Sequence, residues 1–176
     1  MTVAAHIIVS GKPSTSGTPR PELSRLVEVA WSGGAHPILV SGLATGESAP
    51  TLSRATGSAE FAAVAADASA EVAGTTAIIT LPLSHAGVDP ETITALIAGH
   101  GRHAKQTLVA ARNGVAGPIR LTPIADAGSS ETLLECGDEG AVHPSDGRAS
   151  LAYEAPPADI NAVDPWEQRG TQAEER

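Results

Sequence analysis

Eleven residues between an apolar run and a helical pattern carry the clearest chemical potential in the chain. Ser10-Gly11-Lys12-Pro13-Ser14-Thr15-Ser16-Gly17-Thr18-Pro19-Arg20 holds two glycines, two cations and no aliphatic side chain. A glycine loop joining a strand to a helix can turn backbone N–H groups toward a phosphate, aided by the positive end of the helix dipole. Gly11 and Gly17, with Lys12 and Arg20, have the residue types for that work. Their spacing fits neither G-x-x-x-x-G-K-[ST] nor G-x-G-x-x-G. Taken alone, the segment reads as an ordinary surface loop.

Other reactive side chains have blander readings. His100 and His103 lie three apart in His100-Gly101-Arg102-His103, with no third ligand nearby in sequence, and read as a solvated helix terminus rather than a metal site. Cys136 reads as a small buried apolar residue, because no histidine partner can be assigned to it. Ser10 and Ser41 follow strands, but neither sits in the G-x-S-x-G of a hydrolase elbow. Glu131, Glu135, Asp138 and Glu139 read as a solvated acidic face.

The elements that position these residues alternate between strand and helix, the signature of an α/β layer architecture. Ala4–Val9 is an apolar, β-branched run. Pro21 suits the first position of a helix carrying Leu23, Leu26, Val27 and Ala30 at helical spacing, closed by Gly33-Gly34. Pro37–Ser41 is a second short strand, followed by a loop of small residues from Gly42 to about Gly57. Ser58 caps an alanine-rich helix running to about Val72. Thr75–Thr80 is a third strand, apolar in its middle and therefore central. Asp89-Pro90-Glu91 starts a helix that runs to about Gly99, with Asp89 as cap. Thr107–Ala111 and Pro118–Leu121 are strands around Asn113-Gly114, a hairpin signal with a loop longer than two residues. Pro123–Cys136 reads as helical in parts, Gly137–Gly140 as a turn, and Ala149–Tyr153 as a last strand.

Composition narrows the function classes. The 176 residues suit one domain, expected to span residues 1–167 with a disordered tail at 168–176. Aromatic residues make up 2% of the chain, which excludes a base-stacking platform, so the core must be built from Ala, Val, Leu and Ile. The formal charge is −9 and Lys12 and Lys105 are the two lysines, so nucleic acid and anionic membranes are not expected partners. A single cysteine excludes an internal disulfide framework. No apolar run approaches a membrane span and the N-terminus has no basic leader, so the expectation is a cytoplasmic protein.

In register, Ile8–Arg20 resembles the L-A-A-G-x-x-x-R-M-G-x-P-K signature of the MobA-like nucleotidyltransferases, which attach CMP or GMP to molybdenum cofactor. Further segments resemble the same family in the same order. Thr80-Leu81-Pro82-Leu83, ahead of Asp89-Pro90-Glu91-Thr92, sits where the family has D-[QM]-P-x and its next helix start. Asn113-Gly114-Val115-Ala116-Gly117-Pro118-Ile119 resembles the G-x-x-G-H-P-V hairpin. Gly137-Asp138-Glu139-Gly140-Ala141 is similar to G-D-x-G-A, and Asp159-Ile160-Asn161-Ala162 to D-[IV]-[DN]-T. The resemblance implies a three-layer α/β/α, nucleotide-diphospho-sugar-transferase-like (Rossmann-like) fold with a mostly parallel mixed sheet. Its ligand edge would gather the Ser10–Arg20 loop, Thr80, Asp159 and Asn161 at the carboxyl ends of the strands.

The departures fall on charge. In the family the loop's arginine and lysine grip a triphosphate, and the aspartate of D-x-P holds Mg²⁺; here those positions are Thr15, Arg20 and Thr80. Neutral hydroxyls supply none of the charge that makes a carboxylate a ligand for a hard cation. Arg20 keeps the charge of the lysine but not its shape. The resemblance therefore implies a catalytically degenerate member, a binding or accessory protein linked to molybdenum cofactor or molybdoenzyme maturation, with a nucleotide or a protein as partner. One alternative is an active enzyme transferring NMP from CTP or GTP to a phosphorylated acceptor such as molybdopterin. There Mg²⁺ would be required, and Asp89 or Asp159 would replace the lost acid. The other is a structural or assembly subunit with an empty pocket. No catalytic residue, metal ligand or cofactor is assigned.

Overall fold

The computed structural model describes residues 1–10, 20–112, 114–125, 130–135, 143–145 and 148–150. Its centre is a seven-stranded sheet built from β1 (Thr2–Ile8), β2 (Ile38–Ser41), β3 (Arg54–Ala55), β4 (Thr75–Pro82), β5 (Thr107–Arg112), β6 (Val115–Pro123) and β7 (Glu131–Glu135). The strand order is β3-β2-β1-β4-β6-β5-β7. All pairings are parallel except the two made by β6, which runs against β4 and β5. Three helices complete the layers: α1 (Pro21–Ser32), α2 (Phe61–Glu71) and α3 (Pro90–Arg102). A separate two-stranded ribbon pairs β8 (His143–Ser145) with β9 (Arg148–Ser150).

Period-two alternation in the strands decides which helix covers which face. Val3, Ala5 and Ile7 of β1, Ile38 and Val40 of β2, and Ala77, Ile79 and Leu81 of β4 point to one side. There they form the main core with Leu23, Leu26 and Val27 of α1 and Ile93 and Leu96 of α3. Ala4, Leu39 and Ile78 point to the other side and pack under Val64, Ala65 and Ala68 of α2. The two helices of the first face approach closely at Gly33, where a Cβ would come within 2.4 Å of the Ile93 Cβ. Among the described residues, no helix is long and apolar enough to cross a membrane.

The structure corrects several expectations. Pro123–Cys136 is not helical where it is described: Glu131–Glu135 is a strand parallel to β5. Its Leu134 is fully buried, close beneath Gly99 of α3, and Thr132 bonds Gln106, so edge pairing and one buried leucine outweigh the weak helical pattern. Pairing of β5 with β6 continues to Arg112 and Val115, beyond the expected strand ends at Ala111 and Pro118, and Gly114 takes φ +77°; Asn113 lies outside the described residues. The small-residue loop after β2 contains the short edge strand β3, which the sequence pattern did not distinguish. Ser58 does not cap α2: its Oγ accepts from the Glu60 N–H and the helix begins at Phe61. Asp89 occupies the cap position of α3 without a side-chain capping bond. The last strand lies at Arg148–Ser150; Tyr153, Cys136 and Gly137–Gly140 lie outside the described residues.

Candidate functional site

Two polar groups mark the carboxyl half of the sheet. The first joins the loops after β1 and β2. Beyond Ile8 the chain stays tethered to β2, with the Val9 N–H donating to the Ser41 carbonyl at 2.9 Å. Gly42 then turns with φ +80°, and a Cβ there would meet the Val9 carbonyl oxygen at 2.3 Å. Only glycine admits so close a backbone approach in that conformation. A tight turn follows, with the Glu47 N–H donating to the Ala44 carbonyl at 2.9 Å, and brings the Glu47 carboxylate to Arg20.

Arg20 precedes α1 in extended conformation, where Pro21 opens the helix. Its Nε donates to Glu47 Oε1 at 2.9 Å and its Nη2 to Oε2 at 3.2 Å, a bidentate fork. Nη1 donates to the Ser10 carbonyl at 3.2 Å, and the Ala44 N–H donates to Glu47 Oε2 at 3.1 Å. The side chains are 13% and 0% exposed. Burial pushes the Glu47 carboxyl up; the Arg20 hydrogen bond and charge and the Ala44 N–H outweigh it and hold the group below the usual carboxylate range.

The second group lies on the α2 face. His6, Thr80 and Arg120 are register partners across β1, β4 and β6, so their side chains share that face. His6 is buried and its Nε2 lies 2.8 Å from Ser41 Oγ, while burial lowers its pKa below 6.5. Thr80 is half-buried and Arg120 is exposed, paired with Glu131 of β7.

The structure thus brings Ser10 and Arg20 together and sets Thr80 in a different group, alongside His6. Among the described residues, no hydrogen bond or ion pair joins Thr80 to Arg20. Gly11, Lys12, Thr15, Gly17, Asp159 and Asn161 lie outside the described residues. Asp89 is exposed at the head of α3, the helix on the opposite face from Thr80. Sequence reasoning missed Glu47 and His6. Glu47 is the one acid in the small-residue loop Gly42–Gly57, a visible anomaly, but nothing in sequence ties it to an arginine 27 positions earlier.

The Mg²⁺ ion that the family resemblance implies does not fit the described residues. Thr80 offers a hydroxyl, its neighbour His6 is engaged with Ser41, and no group of three His, Cys, Asp or Glu side chains among the described residues could hold a metal. His100 is not the solvated terminus the sequence implies. It is 1% exposed, with Nε2 3.3 Å from Thr76 Oγ1 and Nδ1 buried without a partner. Glu131 is solvated as expected, although it pairs with Arg120.

No family's sequence profile matches the chain, and no curated protein sequence does. Solved structures do resemble it. Rv0371c from Mycobacterium tuberculosis H37Rv is 16% identical, over 97% of each chain, with a TM-score of 0.55. The same protein in complex with manganese covers 100% of each chain at 16% identity and a TM-score of 0.52. Its homologue from mycobacterium sp. strain JC1 is 14% identical, covering 97% of this chain and 94% of its own, with a TM-score of 0.51. At such identities the likeness concerns the fold. The chain shares with these structures a three-layer, Rossmann-like α/β fold, with the mostly parallel mixed sheet expected from its sequence.

Proposed function

We propose that this chain is a nucleotidyltransferase-fold protein that has lost robust nucleotidyl transfer and serves as a binding or accessory protein in a molybdenum-enzyme system. The observation that carries this reading is the state of Arg20. It is the cation that matches the family's triphosphate lysine, and its guanidinium is already neutralised by Glu47. Thr80 adds to it: the position matching the metal aspartate has a neutral hydroxyl beside a buried, uncharged-leaning imidazole. Phosphoryl and nucleotidyl chemistry depends on positive charge at the phosphates, and removing one such electrostatic group typically costs on the order of 10²–10³ in rate. The molybdenum link rests on the ordered series of motif resemblances alone.

Calorimetric titration of CTP, GTP and ATP, each with and without Mg²⁺, tests the reading. Binding that ignores Mg²⁺, with no pyrophosphate released over long incubation, is the expected result. Tight binding that requires Mg²⁺ would overturn it in favour of a working transferase. Absence of any nucleotide binding would move the role to assembly, to be followed by co-purification from the native host and assay of the captured material for molybdenum.

A further inference from the structure

Arg20 is held as a ligand would hold it. A carboxylate and a phosphate present the same paired oxygens to a guanidinium fork, so a group bound bidentately by one excludes the other. Glu47 does more than touch the arginine. Its second oxygen is fixed by the Ala44 N–H, its side chain is fully buried, and the turn that carries it is closed by its own N–H. The third nitrogen, Nη1, donates one of its two hydrogens to the Ser10 carbonyl. An external anion would have to displace a carboxylate that is part of the chain and already desolvated.

We propose that Glu47 is a specificity-determining residue whose carboxylate occupies Arg20 in place of a phosphate, closing this edge of the sheet to polyphosphate anions. The inference rests on reading the chain as a nucleotidyltransferase-fold protein without robust transfer, and it assigns a cause to that loss within the described residues. The closure is intramolecular, so it does not depend on any partner. Neutralising Glu47 leaves the guanidinium with an unbalanced charge and, as glutamine, one acceptor oxygen in place of two.

The probe is inorganic pyrophosphate, titrated calorimetrically without metal into wild type, Glu47→Gln, Arg20→Ala and the double variant. Glu47→Gln is expected to bind at least about tenfold more tightly than wild type, the worth of one charge-assisted contact. The gain is expected to vanish when Arg20→Ala is added. Equal affinity of wild type and a folded Glu47→Gln overturns the proposal, as does a gain that survives in the double variant. Circular dichroism and a thermal melt establish folding; should Glu47→Gln not fold, Glu47→Ala decides by the same criteria, because it removes the carboxylate from the fork altogether. Mg²⁺-dependent CTP binding by wild type would defeat the broader functional reading. The metal-free difference between Glu47→Gln and wild type bears on Glu47 alone.

Discussion

The two faces of the sheet differ in what they can tolerate. On the side of α1 and α3, every inward residue of β1, β2 and β4 in the main core is aliphatic or alanine, and most have no exposed surface. On the side of α2 the apolar patch stops at Ala4, Leu39 and Ile78, and the next positions toward the carboxyl ends are His6, Ser41 and Thr80. Alternate residues of one strand, Ile79 and Thr80, therefore live in opposite environments. A sheet that must fold needs only one fully apolar face; the other is free to carry polar groups.

Placing the same acid on each side breaks or sharpens that contrast. Ile79→Asp buries a carboxylate among aliphatic side chains and is expected to cost more than about 4 kcal/mol, enough to abolish cooperative folding. Thr80→Asp lies half-buried, in register with Arg120, and is expected to cost about 1 kcal/mol or less. Urea denaturation followed by circular dichroism separates the two; comparable losses would erase the distinction between faces.

The buried histidines give a smaller, pH-dependent handle on each side. Ser41→Ala removes the partner of His6 Nε2 and leaves a buried polar atom unmatched, at a cost of about 1–2 kcal/mol by urea midpoint. Burial lowers the pKa of both His6 and His100 from 6.5. The fold thus favours the neutral rings, and the unfolded chain takes up protons first as the pH falls. Stability should be full above pH 6.5 and decline below it, toward the depressed folded-state values. Denaturation midpoints between pH 8 and 5 check the sign, and a stability that rose on acidification would contradict it. His100→Leu removes the unpartnered Nδ1 and should flatten part of the slope.

Much of the fold was legible because its signals are local. Pro21, Gly33 and the Leu23–Ala30 spacing set α1, and the apolar middle of Thr75–Thr80 placed that strand at the centre of the sheet. β7 was not legible: a five-residue strand with acids at both ends becomes a strand through pairing with β5, a partner that sequence does not reveal. The candidate site was legible only where one motif supplied it. Ser10, Arg20 and Thr80 followed from a resemblance in register, whereas Glu47 matters through a contact made across the loop after β2. His6 was hidden for a related reason. In a run of aliphatic strand residues, nothing marks which histidine will find a serine on the neighbouring strand.

The smallest effect expected concerns the second arginine. Arg120 and Arg20 each face a glutamate, but the Arg120 and Glu131 side chains are 47% and 54% exposed, against 13% and 0% for Arg20 and Glu47. Water already solvates the exposed pair, so its attraction is screened and holding two long side chains in one geometry offsets what remains. Arg120→Ala should therefore change the urea midpoint by no more than the equivalent of about 0.5 kcal/mol, and raising the salt concentration should remove even that. The same substitution at Arg20 leaves a buried carboxylate without its cation and should cost about 2 kcal/mol, largely insensitive to salt. If the two arginines proved equal, burial would not distinguish them, and Glu47 would be one more surface acid rather than the group that closes the edge.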